Sequence, residues 1–219
     1  MTKIHVYFMP GMAAGPQIFE RIQLPDDTFE MHLLEWIPPL SKESLTSYAQ
    51  RMSEFIKHDN VVLVGVSFGG ILVQEMKPFV KPRKIILISS AKSNQEFPKR
   101  MRFAKVTKAY KFIPTHLFVN IEFFAKYVFR IFAIKERIAL YKKYLTVRDK
   151  AYLDWSIEQI VNWNRSEPDE EVVHIQGELD EVFPFRYIKK CIAVKGGTHI
   201  MILNKYKWLN ENLPKIILD

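Results

Sequence analysis

The chain has 219 residues, 48% of them hydrophobic and 26% charged, which suits one well-buried core with room for an insertion. Its formal net charge is +8, but it carries no nucleic-acid-binding motif, no P-loop and no G-x-G-x-x-G, so neither nucleic acid nor a dinucleotide is an expected partner. A single cysteine, Cys191, rules out an internal disulfide; no apolar run has the length and purity of a membrane span, and no Cys/His group stands at metal-ligand spacing, so no metal and no cofactor is expected.

Met1-Thr2-Lys3 leads straight into Ile4-His5-Val6-Tyr7-Phe8-Met9, a strand pattern rather than a secretory signal. With one cysteine and no signal, a reducing, cytoplasmic setting is expected. The small-residue loop Pro10–Pro16 follows, then a short helix over Gln17–Ile22. Phe29–Trp36 reads as a second strand, stopped by Pro38 and Pro39. From Ser41 to His58, Leu45, Tyr48, Ala49, Met52, Phe55 and Ile56 recur at helical spacing. A third strand over Val61–Val66 runs into a helix that should end near Pro78, and Lys84–Ser89 is a fourth strand. Strands and helices alternate, so the fold class is α/β: a mostly parallel central sheet flanked by helices.

From Lys92 to about Pro168 no strand pattern appears. Helices are expected over Phe97–Tyr110, Thr115–Leu145 and Asp149–Trp163. The alternation then resumes: a strand over Glu171–Gln176, a short helix over Phe185–Lys189, a buried strand within Cys191–Val194 and a last helix over Asn204–Leu213. The expected division is a core of residues 1–91 and 169–219, with residues 92–168 inserted as a helical cap.

The chain is organised around Gly65-Val66-Ser67-Phe68-Gly69. A β-branched strand, a serine between two glycines and a helix start make a nucleophile elbow. Side chains at Gly65 and Gly69 would collide across so sharp a turn, and Ser67 must take a strained backbone. The serine stands at a helix N-terminus, where backbone N–H groups favour a developing negative charge. The pentapeptide alone arises by chance in roughly one chain in ten of this length, so the rest of the chain must decide.

A serine nucleophile needs a base, and the base needs an acid to orient it. Gly177-Glu178-Leu179-Asp180-Glu181-Val182-Phe183-Pro184 places acids in a loop after one strand. Lys195-Gly196-Gly197-Thr198-His199 places a histidine in a loop after the next. Both fall at carboxyl ends of strands, where ligands bind in open parallel sheets. The order is Ser67, Asp180, His199, with Glu178 and Glu181 as rivals to Asp180. His5, His32, His58, His116 and His174 read as strand, helix or surface residues, and His174 as core.

With these three segments in order, the sequence resembles the α/β-hydrolase superfamily, over nearly its whole length. The resemblance implies Ser67 as nucleophile, His199 as base and Asp180 as the acid, which matches the family spacing before Pro184. It implies an oxyanion hole formed by the N–H groups of Phe68 and of Met12, with Gly11 or Met9 as alternatives to Met12, because this chain has Pro10-Gly11 where many relatives have His-Gly. Serine rather than aspartate at the elbow points away from dehalogenase and epoxide hydrolase chemistry and toward acyl transfer through an acyl-enzyme.

Between Lys92 and Lys150 there are 15 Lys or Arg against 4 Asp or Glu, so the rest of the chain is slightly acidic. One reading is an amphipathic lid with lysines facing water. The other is a lid that recognises a small-molecule acyl substrate with an apolar body and an anionic group, or that touches an anionic lipid surface. A hydrolase, an acyltransferase on the same residues and a non-catalytic binding module are the functional alternatives.

Overall fold

The structure, a computed structural model, describes residues 2–113, 115 and 142–219. Most of the helix expected over Thr115–Leu145, the apolar stretch Leu117–Ile134 and His116 lie outside the described residues. Strands β1 (Ile4–Met9), β2 (Phe29–Leu33), β3 (Val62–Val66), β4 (Lys84–Ile88), β5 (Val173–Gly177) and β6 (Ile192–Val194) form one sheet in the order β2-β1-β3-β4-β5-β6. All five pairings are parallel. The chain runs from β1 to the β2 edge, returns beside β1 as β3, and then builds outward to β6. The reversal lies between β1 and β3, and the register pairs Met9 with Gly65. The loop after β1 therefore runs alongside the turn after β3.

The period-2 alternation of the strands separates two apolar layers. Tyr7, Met9, Leu63, Ile85 and Leu87 face the helices α1 (Leu45–Ser53) and α2 (Phe68–Val80). Val6, Phe8, Val64, Ile86, Ile88 and Ile175 face a 3-10 turn at Pro16–Phe19 and the helices over Met201–Asn204 and Tyr206–Leu218. Between β4 and β5 the described residues contain no strand. They hold α3 (Lys99–Thr107) and α4 (Lys150–Asn162), the latter capped by the Asp149 side chain on the Tyr152 N–H. Tyr152, Leu153 and Trp155 of α4 are buried in the same cluster as the α1 and α2 faces. No helix among the described residues is long and apolar enough to cross a membrane.

Several boundaries differ from the sequence reading. β2 ends at Leu33, although Leu34 still donates to the Phe8 carbonyl and Trp36 is buried. α1 begins only at Leu45, where Ser44 accepts from the Ser47 N–H, and it stops before Phe55, which is 49% exposed. α2 does not end near Pro78 but passes through it to Val80, and Lys81 in the left-handed region terminates it. A helical proline leaves the carbonyl four residues back without its N–H. Here that carbonyl, on Gln74, accepts from the Arg165 guanidinium at 3.3 Å. The last helix likewise continues past Pro214, with Leu213 and Ile217 buried. β6 is a three-residue edge strand with Ile192 and Ala193 exposed, rather than a buried one. Beside it Cys191 is half-buried, and burial pushes its thiol pKa up.

Candidate active site

Ser67 sits at φ 53°, ψ −119°, a backbone conformation that L-residues rarely take. The turn is held by packing on every side. A Cβ on Gly65 would run into the Gly69 backbone, and one on Gly69 into the carbonyls of Met9 and Pro10. Ser67 N–H donates to the Ile88 carbonyl, while its own carbonyl accepts from Gly70 N–H and from the Ser90 hydroxyl at 2.7 Å. Although Ser67 is the N-cap residue of α2, its hydroxyl makes no capping bond. It is turned instead to His199, whose Nε2 lies 3.0 Å from Ser67 Oγ.

His199 comes from the loop after β6 and Asp180 from the loop after β5. His199 Nδ1 lies 3.0 Å from Asp180 Oδ2 and 3.2 Å from Oδ1. The Asp180 side chain is fully buried and that of His199 is 24% exposed. Asp180 is anchored at the tip of its loop, because Oδ1 also accepts from the N–H groups of Val182 and Phe183 at 2.8 and 2.9 Å. Its rivals point elsewhere. Glu178 and Glu181 are exposed, and Glu178 accepts from Gly196 N–H. With the carboxylate on Nδ1–H, Nε2 presents its lone pair to the serine hydroxyl, the protonation needed to accept a proton from Oγ.

The loop after β1 lies against the serine: a Cβ on Gly11 would stand 3.3 Å from Ser67 Cβ. Gly11 carbonyl accepts from Ala14 N–H and from the Trp36 indole at 2.9 Å, which turns the loop back on itself. Met9 is a ladder residue paired with Gly65, whereas Gly11 and Met12 lie in the turn. Among the described residues, the N–H groups of Gly11, Met12 and Phe68 have no hydrogen-bond partner, so Gly11 and Met12 both remain open as donors from this loop.

No family model matches the sequence, and no curated protein matches it. Solved structures do match. The enol-lactonase from Burkholderia xenovorans LB400 superposes with a TM-score of 0.70 at 11% identity, covering 100% of this chain and 93% of that one. The bromoperoxidase from Bacillus anthracis gives 0.67 at 18%, with 100% and 93% covered. A thermophilic esterase from Thermogutta terrifontis gives 0.66 at 13%, with 99% and 90% covered. The chain has the α/β-hydrolase fold.

Around the three residues the α/β-hydrolase fold carries supports that local sequence patterns do not show. Gln176, buried on β5, donates from Nε2 to Asp180 Oδ2 at 3.0 Å and to the Phe183 carbonyl at 2.7 Å. Its Oε1 lies 3.1 Å from His174 Nε2. His174 is core, as expected, but it is the far end of a line that runs through Gln176 and Asp180 to His199. A glutamine inside an apolar strand pattern, four residues before an acid, was the available signal. The segment between β4 and β5 braces the loop after β1 as well. Val147 N–H donates to the Ala13 carbonyl, Gly15 N–H to the Tyr144 carbonyl, and the buried Tyr152 hydroxyl lies 3.4 Å from Ala13 N. Phe68 stacks on Trp36 at 4.9 Å, with Trp155 5.9 Å away, so buried aromatic rings wall one side of the elbow.

Proposed function

We propose that this protein is a serine hydrolase that acts on an ester or thioester carbonyl through an acyl-enzyme. The observation that carries the reading is the hydrogen-bonded line Asp180–His199–Ser67, with 3.0 Å at each link. In this mechanism Ser67 Oγ attacks the carbonyl carbon while His199 Nε2 takes its proton, and Asp180 stabilises the imidazolium. The N–H groups of Phe68 and Met12 receive the oxyanion. Collapse expels the alcohol or thiol, protonated by His199, and leaves Ser67 acylated. Water, deprotonated by His199, then attacks the acyl carbonyl and releases the acid. The esterase and the enol-lactonase of the same fold support the reaction class by analogy, since the fold alone does not fix a reaction.

Residues 92–168 serve in this reading as a cap. α3 reaches the acid loop through Arg100, whose guanidinium donates to the carbonyls of Glu181 and Val182. The basic, aromatic character of the segment suits an acyl substrate with an apolar body and an anionic end. An acyltransferase would use the same residues, with an acceptor outcompeting water.

The test is labelling with a fluorophosphonate probe, read by intact mass, followed by a panel of esters and acyl thioesters. One adduct per chain is expected in the wild type, and none in Ser67→Ala or His199→Ala. Turnover should fall by about 10³-fold or more in either variant. Equal labelling or turnover in Ser67→Ala would remove the proposal, and product that forms only with an added acceptor would turn it to acyl transfer.

A further inference from the structure

On the β1–β2 edge, on the face that α1 and α2 cover, three histidines meet that lie far apart in sequence. His5 is on β1, His32 on β2 and His58 in the loop before β3. One ring nitrogen of each lies within 4.8 Å of one from each of the others. His5 Nδ1 and His32 Nε2 are 3.0 Å apart. Glu30, paired with His5 across the strands, sets Oε2 3.8 Å from His5 Nδ1 and Oε1 3.7 Å from His32 Nε2.

These spacings can be compared with a metal's. Four ligands at zinc's bond lengths, arranged tetrahedrally, stand about 3.3–3.4 Å from one another. The distances among His5 Nδ1, His32 Nε2 and the Glu30 carboxylate bracket that value. His58 is stacked on His5, with 3.5 Å between ring centroids, so its ring must turn out of the stack to bring a lone pair onto the same point. The ligands also have the supports that metal histidines use. His58 Nδ1 is 2.7 Å from the hydroxyl of the buried Tyr7, which also accepts from Lys57 N–H at 3.1 Å. With Nδ1 on the Tyr7 hydroxyl, Nε2 is the nitrogen that would face a metal once the ring turns. His5 and His58 both line a surface depression with Thr2, Lys3, Lys57 and Asp59, which gives an ion a way in.

We propose that His5, His32 and His58, with Glu30 as fourth ligand, form a divalent transition-metal site of the zinc type. Three imidazoles and a carboxylate suit zinc, and four protein ligands leave no open coordination position, so the role is structural. The ion would join the edge strand β2 to β1 and to the loop before β3. His5 lies about 13 Å down β1 from Met9, well below Ser67 and away from the chemistry proposed there. Binding needs no proton release: the proton that links His5 Nδ1 to His32 Nε2 moves to a far ring nitrogen of the same imidazole, and both facing lone pairs go to the metal.

The test is isothermal titration of zinc chloride into the chelator-treated full chain, with cobalt(II) absorption to report tetrahedral coordination and melting temperature as a second readout. One zinc per chain is expected, with a melting temperature that rises on saturation. Affinity should fall at least about tenfold in His5→Gln and in His32→Gln. If either variant fails to fold, Glu30→Gln, whose side chain is half exposed, provides the test, with about tenfold weaker binding expected and the imidazoles retained. Binding weaker than about 100 μM in the wild type would overturn the proposal, as would unchanged affinity in the histidine and Glu30 variants. Affinity that disappears in His199→Gln instead would place the ion at Ser67 and overturn it equally.

Discussion

Gln176 carries as much of the site's geometry as the residues that a motif identifies. Asp180 is buried, and every acceptor position it offers is used: by Val182 and Phe183 N–H, by Gln176 Nε2 and by His199. A hydrogen bond to a buried carboxylate is worth about 1.5–3 kcal/mol, so its loss should be felt in the orientation of His199. Gln176→Met keeps the volume and removes both donors and the acceptor for His174. The expected result is a fall in kcat of about tenfold to a hundredfold with KM little changed. Steady-state kinetics on whichever ester or thioester the panel yields would measure it. A loss confined to stability, with kcat intact, would show that Gln176 only packs.

At the scale of elements, α4 ties the segment between β4 and β5 to the turn after β3. Trp155 is buried, lies 4.4 Å from the Tyr48 ring and 5.9 Å from Phe68, and donates from its indole to the Glu43 carbonyl. Trp155→Ala should cost about 3–5 kcal/mol, read as a lower urea midpoint. A loss below about 1 kcal/mol would mean that α4 rests on the core without being part of it. Much of this level was legible in the sequence. Strand cores announced themselves through β-branched runs, and the elbow, acid loop and histidine loop through their glycines. Element ends were not, for tertiary reasons. Pro78 signals a helix end locally, but Arg165, nearly ninety residues on, satisfies the carbonyl that the proline frees. Cys191–Val194 is apolar enough for a buried strand, but its place at the sheet edge leaves Ile192 and Ala193 in solvent. The histidine group of β1 and β2 has no spacing signal at all, because only the parallel register brings His32 beside His5 and Tyr7.

For the molecule as a whole, the all-parallel sheet buries both of its faces, and one consequence appears in acid. His174 is 2% exposed within β5, and burial pushes its pKa down to about 4 from an ordinary 6.5. The folded state thus keeps it neutral while the unfolded chain takes up the proton. Stability from this group is complete above pH 6.5 and is lost as pH falls toward 4, by roughly 3 kcal/mol. Urea midpoints at pH 7 and pH 4.5 should differ markedly in the wild type and less in His174→Asn. Equal pH dependence in the two would assign the acid sensitivity to other groups.

The contact between His199 Nε2 and Ser67 Oγ joins residues 132 apart in the chain. During synthesis the elbow and its glycines leave the ribosome long before the loop after β6. A growing chain can complete β1 to β4 and still hold a serine with no base beside it. On the mechanism proposed above, the Ser67 hydroxyl is armed only when nearly all of the sheet has been made, so an unfinished polypeptide should be chemically quiet toward acyl compounds around it.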